Sequence, residues 1–196
     1  TAHYDSTYLS EGAYDNMSGC IALLHIADLL KDKKLKRGVT LVFCGSEERG
    51  LLGSLAYCKA NSLNNVRLNI NLDMLGSKMG GFVAFSCANE DMRECLEEFL
   101  KNNQIGASVR YGIRSSDSNS FVKYGIPAVS FARYAPSGFL SVHTKYDTRD
   151  AINPQTLMKD SEIIAEFTKT VASLENIDNL TEISEKIRND VEEYFN

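Results

Sequence analysis

The chain of 196 residues contains three histidines. His3 and His143 sit in polar, acid-containing segments near predicted strand ends, whereas His25 falls inside a predicted helix and reads as structural. On a strand, the spacing His3-Tyr4-Asp5 turns His3 and Asp5 to the same face. Asp5 would then hold one ring nitrogen while the other binds a metal. Asp15 lies in a glycine-flanked loop, Gly12 to Gly19, just before a helix, and by itself reads as a helix cap. Glu47 and Glu48 follow a strongly apolar strand, at the carboxyl end where ligands collect in open α/β sheets. One could bind a metal and the other face the substrate; a solvated charged loop is the plain alternative. Asp73 closes an apolar alternation before the Gly76 turn, a place where a turn acid is equally at home. The segment 141–148 brings His143 and Asp147 together, again as a metal ligand with an orienting acid or as a solvated loop.

The joint pattern says more than its parts. In order, a His, an Asp, a Glu pair, an Asp and a His each fall at or near the end of a predicted strand. Five nitrogen and oxygen ligands with one shared carboxylate suit two zinc ions. One further acid is then left over to carry a proton.

The elements that must position these residues alternate along the chain. Residues 19–35 read as a helix with Ile21, Leu24, Ala27 and Leu30 at helical spacing. The apolar run 39–44 reads as a buried strand. A helix over 50–60 follows, then strands over 66–73 and 81–87. In the first of these strands Leu68, Ile70 and Leu72 share a face. Residues 91–102 place Met92, Cys95, Leu96 and Phe99 in helical register; 108–112 reads as a short strand, 118–124 as a helix and 128–132 as a strand. Asn153 and Pro154 open a long helix to about Leu174, with Asn as the cap and Pro at the first position. Thr181 is the expected cap of a last helix, with Glu182 and Glu185 in its first turn. These final helices read as packing and surface elements. The alternation predicts an α/β layer fold with a largely parallel sheet in one domain over 1–196.

Composition narrows the function classes. The formal net charge of -5 argues against a nucleic-acid backbone as partner. No apolar run approaches the roughly 18 residues of a membrane span. The five cysteines, an odd number with no CxxC pair, exclude neither fold nor enzyme but argue against a disulfide scaffold or a zinc ribbon. The chain opens on Thr-Ala-His, so a fragment of a longer protein is expected. A signal could precede it, and its location is unknown.

At these residues the sequence resembles the co-catalytic dizinc aminopeptidases, a family that includes bacterial leucyl aminopeptidases. Glutamate carboxypeptidase and the transferrin receptor are more distant relatives. The matching stretches are AHYDS (2–6), GAYDNMSG (12–19), SEERGLLGS (46–54), NLDMLG (71–76), GIPAVSF (125–131) and VHTKYDT (142–148). The resemblance implies a three-layer sandwich with a mixed, mostly parallel sheet and helices on both faces. It implies that His3 binds one zinc and His143 the other, that Asp15 bridges them, and that Glu48 and Asp73 complete the two sides. Glu47 would be the general base, Asp5 would orient His3 and Asp147 would support the His143 loop. A cis peptide is expected at Asp15–Asn16. The implied substrates are peptides with a free N-terminus.

Some features depart from the family pattern. Relatives often carry a His after the Ser-Asp pair where this chain reads Ser116-Asp117-Ser118. An oxyanion-stabilising tyrosine does not align cleanly, and Tyr111 and Tyr134 are the candidates. A helix and about two strands normally precede the first metal histidine; without them the sheet would expose an edge. Pocket walls are expected from 115–121 and 134–140, with Phe139 and Leu140 suggesting either an apolar pocket or core. Two other readings share the scaffold: a single-zinc glutaminyl cyclase, and a receptor-like domain without catalysis. The Asp-Asn-x-Ser-Gly segment argues against the first, and the complete ligand set with its base against the second.

Overall fold

The computed structural model describes residues 1–134, 136 and 142–196. Phe139 and Leu140 therefore lie outside the described residues. The strands are β1 (Ala2–His3), β2 (Phe43–Cys44), β3 (Asn69–Leu72), β4 (Gly81–Cys87), β5 (Ala107–Tyr111) and β6 (Ala128–Tyr134). The helices are α1 (Ser18–Leu30), α2 (Leu52–Ala60), α3 (Glu90–Asn102), α4 (Ser118–Lys123), α5 (Pro154–Ser173) and α6 (Glu185–Phe195).

Four strands run in the order β3-β6-β4-β5. The pairs β3/β6 and β4/β5 are parallel and β4/β6 is antiparallel. The parallel pair β1/β2 extends this sheet, because Thr1 N donates to Ile70 O at 2.7 Å and Leu72 N donates to Thr1 O at 2.9 Å. The carboxyl ends of β1, β2 and β3 thus come together, which is where His3, Glu47, Glu48 and Asp73 stand.

Strand β4 shows why the sheet is buried on both sides. Phe82 and Ala84 enter one core with α1, α3 and α5, while Val83, Phe85 and Cys87 enter the other with α4 and α6. The first core holds a run of aromatic contacts: Phe82 stacks on Phe131 at 5.7 Å, and Phe131 and Phe99 meet Phe167 edge-on at 5.6 and 5.3 Å. Each such side chain contributes about 1.5–3 kcal/mol by leaving water. The result is a three-layer α/β sandwich with a mixed, mostly parallel sheet, as the family resemblance implies.

Several elements differ from expectation. Helix α1 stops at Leu30, because the lysine-rich stretch 31–36 offers no apolar face to bury. Its buried stripe is Leu23, Ile26 and Leu30, packed on α5 and β3, while Ile21 and Leu24 face solvent. Within 39–44 only Phe43 and Cys44 form ladder pairs, since β1 pairs through Ala2 and His3 alone. Val39 and Phe43 are 42% and 39% exposed. Residues 39–42 border a cavity of about 360 Å³ that Leu23, Ile26, Leu68 and Ile164 also line. Helix α6 begins at Glu185, with Ser184 Oγ accepting Ile187 N; Thr181 instead closes a short turn over 178–181. Glu182 consequently precedes the helix.

Candidate metal centre

His3 ends β1 and is 1% exposed. Its Nδ1 lies 3.1 Å from the backbone oxygen of Asp5 and 3.5 Å from Asp5 Oδ1. Its Nε2 faces Asp15 Oδ1 at 3.2 Å, Asp73 Oδ1 at 3.6 Å and Glu47 Oε2 at 4.0 Å. Asp5 does more than touch the ring. Its two oxygens accept the backbone N–H groups of Glu47 (3.0 Å) and Glu48 (3.2 Å), tying β1 to the turn after β2.

Asp15 is held by a tight turn over 13–17 whose Asp15–Asn16 peptide bond is cis. Two side chains, Asp147 and Asn16, fix that turn. Asp147 Oδ1 accepts Tyr14 N at 2.7 Å and its Oδ2 accepts Asp15 N at 3.1 Å. Asn16 Oδ1 accepts the N–H groups of Gly19 (3.0 Å) and Met74 (3.1 Å), and Asn16 Nδ2 donates to Leu72 O at 2.9 Å. Gly19 is required here, since a Cβ would sit 2.5 Å from Asn16 Oδ1 and 2.6 Å from Leu72 O. Asn16 thus locks the Asp15 turn onto the end of β3, where Asp73 stands.

Asp73 is gripped on one oxygen only. Its Oδ2 accepts Ser116 Oγ at 2.7 Å and lies 3.3 Å from Arg114 Nη2. Its Oδ1, buried and without a hydrogen-bond partner, points at His3. On the far side, His143 Nε2 lies 3.1 Å from both Asp15 Oδ2 and Glu48 Oε2. Glu48 Oε1 is the second buried, unpartnered carboxylate oxygen of the cluster.

These side chains form three overlapping groups: His3, Asp15 and Asp73; Asp15, Glu48 and His143; and His3, Glu47 and Glu48. Within each, the ligand atoms lie within 4.8 Å of one another. Comparison with known proteins then decides the family: the model of peptidase family M28 matches residues 1–168. The chain belongs to peptidase family M28. It is 41% identical over 80 residues to aminopeptidase YwaD of Bacillus subtilis, covering 39% of this chain and 18% of that protein. It is 27% identical over 185 residues to a vacuolar membrane protease of Vanderwaltozyma polyspora, covering 90% of this chain and 19% of the relative. Among solved structures, a zinc aminopeptidase from Bacillus subtilis superposes with a TM-score of 0.78 at 27% identity, over 95% of this chain and 48% of that one. The chain therefore spans less than half the length of each.

The electrostatics of this M28 centre are unbalanced. Asp15, Glu47, Glu48 and Asp73 converge on two imidazoles, and among the described residues Arg114 is the lysine or arginine that pairs with any of them. Burial works against a charged His3, yet Asp15, Asp73 and Glu47 outweigh it and raise its pKa to about 12. Burial, reinforced by Asp73, Asp117 and Glu48 and opposed by His3, raises Glu47 to about 8. Burial also opposes ionisation of Asp73, but Arg114 and His3 hold its carboxyl well below the usual range. Without added cations the cluster retains a proton on His3. With its orphaned carboxylate oxygens, it has the character of a cation site built from oxygen and imidazole donors.

All six residues expected at the centre, His3, Asp15, Glu47, Glu48, Asp73 and His143, are brought together, with Asp5 behind His3. Asp147, expected to support the His143 loop, grips the Asp15 turn with its carboxylate and donates its own N–H to Thr144 O. Tyr111 points away, its hydroxyl donating to Ser184 at the start of α6. The Tyr134 ring lies beneath the Arg114 guanidinium, 5.1 Å from its centroid. Sequence reasoning missed Arg114 and the tethering roles of Asn16 and Ser116. Asn16 stands inside the matching stretch 12–19 and Ser116 opens the Ser116-Asp117-Ser118 run noted as a departure, which was the available signal; a lone arginine after a strand gives none.

Proposed function

We propose that the chain carries the catalytic centre of a zinc aminopeptidase that holds two zinc ions and removes N-terminal residues from peptides. The observation that carries this reading is Asp15, whose Oδ1 faces His3 and whose Oδ2 faces His143. A carboxylate offered to two imidazoles at once suits a bridge between two ions. His3 and Asp73 would complete one ion's shell, and His143 and Glu48 the other's. The fit rests on the unpartnered oxygens of Asp73 and Glu48 and on a donor set of imidazole and carboxylate alone. The aminopeptidase names of relatives and the zinc named for the Bacillus subtilis structure support it.

When bound, zinc supplies Lewis acidity, making a water nucleophilic near neutral pH and polarising the substrate carbonyl. The chain's own residues do the rest. Glu47 faces the same space as His3 and pairs with no cation other than that imidazole among the described residues. It accepts the proton of the attacking water and passes it to the peptide nitrogen as the C–N bond breaks. Asp5 fixes the backbone of Glu47 and the ring of His3 together, so base and ligand share one anchor. The excess of acids around the more open His143 side, 56% exposed, suits the ammonium of a free N-terminus.

The test is Glu47→Gln in the purified protein, with zinc content measured alongside hydrolysis of aminoacyl-nitroanilides. The variant keeps two zinc ions per chain and loses about 10²–10⁴-fold in kcat. Full activity in that variant, or one zinc per chain in the wild type, refutes this reading.

A further inference from the structure

We propose that Arg114 is a catalytic residue whose guanidinium receives the scissile carbonyl oxygen as that oxygen gains negative charge. This rests on the hydrolytic reading above and assigns to an arginine the part that the sequence offered to Tyr111 or Tyr134.

Three observations carry it. First, place: Arg114 Nη2 lies 3.3 Å from Asp73 Oδ2 and Nη1 3.4 Å from Asp73 O, and the other oxygen of Asp73 faces His3. The cation therefore borders the acid that, with Glu47, faces the His3 ring. Second, charge: among the described residues no other lysine or arginine pairs with Asp15, Glu47, Glu48 or Asp73. Third, the tyrosines are otherwise engaged. Tyr111 is bonded to Ser184, and the Tyr134 ring is the platform under the guanidinium, itself wedged edge-on against Phe85 at 6.2 Å.

Arg114 is 13% exposed, so the cation is largely desolvated yet reachable. Both contacts to Asp73 are long. The guanidinium fork retains further N–H donors, and it stays protonated at any working pH. Asp73 does not need it for orientation alone, because Ser116 already donates to the same oxygen at 2.7 Å. A fixed donor aimed at developing charge in a water-poor site is among the strongest catalytic contributions available. In the step it serves, the water oxygen bonds to the carbonyl carbon and the C=O electron pair moves onto oxygen. Arg114 N–H groups meet that oxygen. Glu47 takes the water proton and returns it to nitrogen as the C–N bond breaks, giving one carboxylic acid and one amine.

The experiment compares wild type, Arg114→Ala, Arg114→Lys and Tyr134→Phe for zinc content, kcat and KM on an aminoacyl-nitroanilide. Arg114→Ala is also assayed with added guanidinium chloride at millimolar concentration. Arg114→Ala keeps its zinc, loses about 10²–10³-fold in kcat with KM within threefold, and regains part of the activity with guanidinium. Arg114→Lys falls between, and Tyr134→Phe stays within threefold of wild type. Unchanged kcat in zinc-replete Arg114→Ala overturns the proposal. So does a hundredfold loss in Tyr134→Phe, or zinc lost from Arg114→Ala in step with activity, which would make Arg114 a positioning residue for Asp73. A wild type that binds zinc but cleaves no aminoacyl substrate overturns the hydrolytic reading, and this inference with it.

Discussion

Replacing Asp147 with Asn is the most direct probe of what holds the Asp15 turn in place. Asp147 is 2% exposed and receives two backbone N–H groups, Tyr14 at 2.7 Å and Asp15 at 3.1 Å, one on each oxygen. The carboxamide has one acceptor oxygen. It can keep the shorter bond to Tyr14, but its NH₂ then faces the Asp15 N–H, donor against donor. Hydrogen bonds to a charged group contribute about 1.5–3 kcal/mol each and a neutral one about 1 kcal/mol. Two charged bonds exchanged for one neutral bond cost about 2–5 kcal/mol. At roughly 2–4 °C per kcal/mol for a chain of this size, Tm falls by about 4–20 °C. Because the turn carries the residue that faces both histidines, zinc affinity measured by chelator competition should fall with it. Differential scanning calorimetry with and without zinc reads both effects. A Tm within 1 °C of wild type would show that the Asp147 carboxylate does not carry the turn.

Two further outcomes are expected. Gly19→Ala places a Cβ 2.6 Å from the Leu72 carbonyl, which as backbone has little freedom to yield, so the denaturation midpoint drops by the equivalent of about 1–3 kcal/mol and zinc per chain declines. Gly38→Ala, with nothing within 4 Å, is the neutral control. In chelator-treated protein, stability falls as pH rises from 6 to 9. His3 and Glu47 both have folded pKa values, about 12 and about 8, above their unfolded values, so the folded state binds the extra protons. The His3 contribution is complete below its unfolded pKa and lost through 12, and that of Glu47 is complete below its own and lost through 8. A Tm that climbs across this window in the chelated protein contradicts the assignment.

The legible parts of the molecule were those that obey a short-range rule. Strand β4 spans the predicted residues because its glycine start and unbroken apolar run leave one solution. Helix α5 starts where Asn153 and Pro154 place it, with Asn153 Oδ1 accepting Thr156 N at 2.9 Å. The His-x-Asp and Glu-Glu patterns located the candidate ligands because each sits at a strand's carboxyl end. What stayed hidden depends on contacts between distant segments. The shortened β2 reflects a partner that pairs over two residues, which hydrophobicity along the chain does not report. The apolar stripe of α1 was ambiguous because Ile21 and Leu24 offer a second face, and only docking on α5 and β3 selects Leu23, Ile26 and Leu30. Tyr111 lost its candidacy to Ser184, a residue 73 positions away.

The centre is assembled by tethers that each cross between segments. Asp5 joins β1 to the Glu47–Glu48 turn, Asn16 joins the Asp15 turn to the end of β3, and Asp147 joins that turn to the His143 segment. None of these three needs to touch an ion, yet each fixes the backbone of a candidate ligand to another strand's end. Four carboxylates gathered this closely repel one another; the acids around His3 raise its pKa against its burial, and burial first, then neighbouring acids, raise that of Glu47. Sheet packing and these tethers must therefore hold the acids together against their own charge before a cation relieves it. It follows that loss of a tether should weaken cation binding more than loss of core area of similar stability, because core packing holds the sheet whereas the tether sets the ligand. That ordering separates a prebuilt centre from one that the cation itself gathers.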